Sequence, residues 1–210
     1  EGDINYVITG GSGADTITSG GGADTVTTGG GGGTVILGDG ADILTVAGGV
    51  DIVKYVGTTA ALIAAEAGTA AGTDNDFGSG TAGDQVTGYV VGTDKIHFPA
   101  ALLTNAIGTE ADTLVTVDAT GTVTNAARFV EMTASSDGTM GDMITDLNTL
   151  TTSAVAIGDS FLAWTHDNTD GYLYLVEQVS VADTIAAQDV TLVGSFIGVT
   201  NPANGDFVSF

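Results

Sequence analysis

Along the first 54 residues one aliphatic side chain returns every ninth position: Ile8, Ile17, Val26, Val35, Leu44 and Val53. Around each, three or four strand-forming residues alternate, so a single apolar side chain points to one face of a short strand. Between these strands run small residues, chiefly glycine, which supply the positive-φ turns that other residues resist. The phase cuts the chain into EGDINYVIT, GGSGADTIT, SGGGADTVT, TGGGGGTVI, LGDGADILT and VAGGVDIVK. A half-turn per unit stacks alternate units on one side. The predicted element is a flattened right-handed coil with two parallel sheets and a thin aliphatic core.

The sixth position of each unit carries Tyr6, Asp15, Asp24, Gly33, Asp42 and Asp51. Stacking alternate units therefore builds one column from Tyr6, Asp24 and Asp42, and another from Asp15, Gly33 and Asp51. Two carboxylates ~4 Å apart repel by about 4 kcal/mol at an effective dielectric of 20. A hard divalent cation between turns, held by carboxylate and carbonyl oxygens, removes that cost. In these six units Asp24–Asp42 is the complete pair, and Gly33 interrupts the other column. The sites at Asp15 and Asp51 are expected to be weaker.

The pattern GGxGxDxUx, clearest in Gly10–Thr18 and Ser19–Thr27, resembles the RTX (repeats-in-toxin) calcium-binding repeat. The resemblance implies a parallel β-roll with Ca2+ as cofactor. It also implies turn carbonyls as further ligands, which nominates Ser19 and Gly21 with Gly38 and Gly40, without fixing which turn supplies which pair. RTX kinship further implies export by the type I secretion apparatus of a Gram-negative bacterium, and an extracellular or cell-surface location.

After Lys54 the phase is lost. Residues 58–71 are alanine-rich and predict a short helix ending near Gly68 or Gly72. A loop with Asp74 and Asp76 follows, either an extra calcium loop or simply solvated acids. The phase returns in SGTAGDQVT (79–87), with Asp84 and Val86 in the repeat positions, so 55–78 read as an insertion in a continuing coil. Next, Gly92, Asp94, Lys95 and Ile96 match the G-x-D-K-I strand with which RTX coils commonly close, making Asp94 a further candidate ligand.

Residues 99–210 change texture: glycine thins out and strand patterns alternate with turn residues. Phe161–Glu177 predicts a hairpin about Asp167–Gly171, with Phe161, Ala163, Tyr172, Tyr174 and Val176 at strand spacing. Met140, Met143, Ile144, Leu147 and Leu150 fall on one helical face, with Asp137 as N-cap. The fold class expected is mainly all-β: a repeat coil over 1–98, then a β-rich C-terminal domain over 99–210 with one or two short helices. The hairpin and the terminal Asp206–Phe210 are similar to the ends of type I-secreted proteins.

Composition narrows the chemistry. The chain has 210 residues, 26 acidic and 3 basic side chains, and a net charge of −23. Such a balance excludes a nucleic-acid binder, which needs Lys and Arg against phosphate. There is no Cys, hence no disulfide or thiolate site, and no apolar run of the ~18 residues that span a membrane. Glu1 in place of Met suggests a processed or excerpted chain. The two histidines, His97 and His166, show no HExxH spacing, and no G-x-S-x-G elbow or Walker A sequence occurs. No catalytic constellation is legible, and no enzyme activity is expected. Two function classes follow: a calcium-dependent structural protein that self-assembles with Ca2+ bridging acidic faces, or the calcium-binding and secretion module of a larger RTX enzyme or adhesin.

Overall fold

The computed structural model describes residues 4–69, 83–103, 114–117, 128–132, 140–149, 158–179 and 184–210. The chain is mostly β, and its described residues form fourteen strands in two sheets and few helices. Six strands come from the repeats: β1 (Val7–Thr9), β2 (Asp15–Gly21), β3 (Thr25–Thr27), β4 (Gly33–Asp39), β5 (Ile43–Thr45) and β6 (Asp51–Lys54). They alternate between the sheets. The odd strands pair in parallel with one another, as do the even ones, and Val7 faces Thr25 while Asp15 faces Gly33. Each parallel partner therefore lies two nine-residue units away.

The interruption after β6 holds helix α1 (Ala60–Glu66), capped by the Thr59 side chain and followed by Gly68 at φ +62°. The coil then resumes with β7 (Asp84–Thr87) beside β5 and β8 (Lys95–Phe98) beside β6. The ninth-position aliphatics become two ladders. One runs Ile8, Val26, Leu44, Val86 and ends on Phe196; the other runs Ile17, Val35, Val53, Ile96 and ends on Phe207. All but Ile8 are buried, each contributing roughly 1.5–3 kcal/mol.

The C-terminal strands are β9 (Leu114–Val117), β10 (Phe129–Met132), β11 (Ser160–His166), β12 (Gly171–Glu177), β13 (Val190–Ile197) and β14 (Phe207–Ser209). The hairpin falls where the pattern placed it, as β11 against β12, antiparallel. These strands do not make a separate sheet. β13 pairs with β7 in parallel and with β12 in antiparallel fashion, giving one nine-stranded sheet, β1-β3-β5-β7-β13-β12-β11-β10-β9. β14 adds to β8 at one edge of the five-stranded sheet β14-β8-β6-β4-β2. The change of texture at residue 98–99 thus coincides with no break in either sheet. One apolar cluster runs from Ile17 to Phe207 through both halves.

A second cluster sits under helix α2 (Met140–Thr149), whose Met140, Met143 and Leu147 pack on Phe161, Ala163, Tyr172, Tyr174 and Val176. The methionine stripe is core. Leu150 and Asp137 lie outside the described residues, as do Asp74 and Asp76. Trp164 is buried, its indole N–H donating to the Thr200 carbonyl at 2.9 Å.

Candidate metal centre

Parallel pairing at a two-unit offset turns the sixth-position residues into rows. In the first, the Tyr6 amide donates to Asp24 Oδ1 at 2.7 Å, the Asp24 amide to Asp42 Oδ1 at 2.6 Å, and the Asp42 amide to Asp84 Oδ1 at 3.1 Å. Each carboxylate is pinned to the backbone of the rung before it. In the second row the Asp51 amide donates to Asp94 Oδ1 at 2.9 Å. The structure therefore brings Asp84 and Asp94 into the two columns, and Asp24–Asp42 is not the sole carboxylate pair.

On three of the row carboxylates one oxygen remains. Asp24 Oδ2, Asp42 Oδ2 and Asp51 Oδ1 are buried with no hydrogen-bond partner, in residues only 1% exposed. Leaving such an acceptor dry costs about 1–3 kcal/mol, more when charged. The electrostatics agree. Burial, reinforced by the charge of Asp24 and opposed by the Asp24 N–H, pushes the Asp42 carboxyl up to about 6. Burial and then the charge of Asp94 raise Asp51, against the Thr28 hydroxyl. Burial and the charge of Asp42 lift Asp84 well above the ordinary carboxylate range.

The turns beside these carboxylates stack closely. Gly38 (φ +88°) lies on Gly20 and Gly40 (φ +135°) on Gly22, so tightly that a Cβ at either would collide with the carbonyl beneath. Gly21 pairs with Asp39, and the Gly22 amide donates to the Asp39 carbonyl at 2.9 Å. The Ser19 hydroxyl donates to the Leu37 carbonyl. Of the four nominated carbonyl residues, Ser19 and Gly21 thus lie at the end of β2, Gly38 near the end of the paired β4 and Gly40 just beyond it, a few residues before Asp24 and Asp42. In the second row, Asp15 is partly exposed and its Oδ2 accepts the Gly11 amide at 2.6 Å. Gly33 has no space for a side chain, because a Cβ there would collide with the Asp15 backbone.

The ends of the rows differ from their middles. Asp84 Oδ2 accepts the Tyr55 hydroxyl at 3.0 Å, and Asp94 Oδ2 accepts the Val90 amide at 2.8 Å. Neither leaves an orphaned oxygen. Next to Asp84 the sheet continues with Gly194, and beyond Asp94 the buried Asp206 accepts the Gly92 amide and pairs with Lys95 at 3.3 Å. Tyr55 and Asp206 carry no repeat signal: Tyr55 meets Asp84 across the inserted helix, and the chain's return by β13 and β14 brings Gly194 and Asp206 to these ends.

Among the described residues no three His, Cys, Asp or Glu side chains converge on one point. Three dry carboxylate oxygens beside stacked turns fit a hard, oxygen-seeking divalent ion such as Ca2+. Among the described residues no helix is long and apolar enough to cross a membrane. The chain matches no protein-family model, no curated protein and no solved structure.

Proposed function

We propose that this chain is an extracellular calcium-dependent structural protein: a parallel β-roll of nonapeptide repeats that folds on Ca2+ after type I secretion and assembles into a surface layer, sheath or filament. The observation that carries the reading is the orphaned oxygen on each of Asp24, Asp42 and Asp51. Bound calcium supplies the positive charge that ionised, stacked carboxylates lack. The chain's own part is to hold those carboxylates in register, Asp24 and Asp42 through the amides of Tyr6 and Asp24, and Asp51 through the Thr28 hydroxyl, and to turn glycine-rich backbone around them.

Ion binding of this kind is folding free energy, because a chain with dispersed Asp residues has no such site. At the millimolar calcium of extracellular media even weak oxygen sites fill. A net charge of −23 opposes close packing of copies until multivalent cations screen or bridge it. Ile43, Val50 and Val90 stand exposed on this acidic chain and supply apolar contact once charge is bridged.

The test is calcium addition to the purified chain, followed by circular dichroism, light scattering and electron microscopy. Calcium-induced β structure with ordered sheets or filaments is the expected result. A folded monomer would sink the assembly and favour the calcium-binding module of a larger enzyme or adhesin. No response to calcium would sink both.

A further inference from the structure

The three rungs of the first column are equivalent in backbone register but not in chemistry. Asp24 and Asp42 each keep a dry Oδ2, whereas the same oxygen of Asp84 accepts the Tyr55 hydroxyl at 3.0 Å. We propose that Tyr55 takes the place of a cation at the foot of this column, ending the row of ion sites at Asp42 and thereby setting how many ions the chain takes up. The proposal rests on the calcium reading above and specifies its limit.

Tyr55 is built for that place. It follows directly on β6, is 3% exposed, and its ring stacks on Phe98 with centroids 4.9 Å apart and planes 7° apart. Its amide donates to the His97 carbonyl at 2.9 Å, so backbone and ring are both held. The next two amides, of Val56 and Gly57, are bound by the buried Glu66 carboxylate of α1 at 3.1 Å. The inserted helix thus fixes the segment that carries the tyrosine. Across the sheet Gly194 packs closely on the Asp84 backbone, where a Cβ would lie 2.9 Å from the Asp84 carbonyl oxygen.

A phenol O–H satisfies one carboxylate oxygen without adding net charge. The second column closes on the same logic with different parts, the Val90 amide on Asp94 Oδ2 and the Tyr89 hydroxyl on the Asp94 carbonyl.

Equilibrium dialysis against calcium, with bound ions counted per folded chain, tests the assignment. Tyr55→Phe keeps the ring and frees Asp84 Oδ2, so it should bind one more ion than the unmodified chain, and Tyr55→Phe/Asp84→Asn should lose that ion again. An unchanged count in folded Tyr55→Phe overturns the proposal. Asp84→Asn alone, which decides the matter if Tyr55→Phe does not fold, should keep the original count; loss of an ion from it overturns the proposal and makes Asp84 an ordinary ligand. An unmodified chain that binds no calcium overturns the calcium reading itself, and this inference with it.

Discussion

The amide of Asp24 donates to Oδ1 of Asp42 at 2.6 Å, and the other oxygen of Asp42 is left buried and dry. The two roles separate by substitution. Asp42→Asn keeps an acceptor for the Asp24 amide and removes the charge. It should raise the calcium midpoint of folding at least about tenfold while leaving the calcium-free chain no less stable, a loss of ~1–3 kcal/mol of ion-linked stability. Asp42→Ala removes both roles and should weaken calcium-induced folding more than Asp51→Ala, because Asp42 lies between Asp24 and Asp84. Calcium titrations by circular dichroism give the order; equal effects would count against the row assignment.

Acid should partly replace calcium. The folded chain holds a proton on Asp42 up to about pH 6, from an ordinary 3.8, and Asp51 and Asp84 shift in the same direction. A carboxyl whose folded pKa is raised adds stability that is complete below its unfolded value and lost as pH rises through the folded value. Without calcium, the thermal midpoint should therefore fall from pH 4 to pH 7. With saturating calcium the trend should flatten or reverse, since ionised carboxylates then have a partner. A calcium-free midpoint that climbs over this window would contradict the dry-carboxylate geometry.

Completing the second column by mutation should fail. Gly33→Asp restores the repeat consensus, yet any Cβ at position 33 meets the Asp15 backbone. Overpacking of this kind costs ~1–3 kcal/mol. Both Gly33→Asp and Gly33→Ala should melt lower than the unmodified chain in calcium, and a stabilised Gly33→Asp would show that the backbone yields.

The register makes length changes selective. Within β1 to β6 backbone partners are 18 residues apart, as for Thr25 with Ile43 and Gly33 with Asp51. Deleting 19–36 removes one rung from each sheet and returns every later strand to its own side. Deleting 19–27 sends every later repeat strand to the opposite sheet, against the fixed positions of β13 and β14. The longer deletion should fold with calcium and the shorter should not, as read by circular dichroism and protease resistance.

The repeat half was legible because its rule is local. A large aliphatic at every ninth position, with glycine turns between, leaves one way to bury a single face, and the two-unit offset follows. The hairpin and the methionine stripe were legible for the same reason: alternation at Phe161 and Ala163, and helical spacing at Met140 and Met143. What lay hidden is set by distant pairings. Gly194 against Asp84, and Lys95 against Asp206, join residues more than a hundred positions apart and leave no periodic trace. The joining of both halves in one nine-stranded sheet was hidden for that reason too, since a strand pattern does not name its neighbour. Tyr55 passed unnoticed as an aromatic just after a repeat, because the carboxylate it serves arrives only after the inserted helix.

The closure of the coil by β13 and β14 also has a consequence in time. The Ser195 hydroxyl meets the Asp84 carbonyl, and the Gly92 amide meets Asp206, across 111 and 114 residues of chain. Contacts of such separation slow folding, because loop entropy is lost before they form. Until its last strands return, the chain lacks the rungs on which both ladders end, so the repeat strands alone stay unlocked.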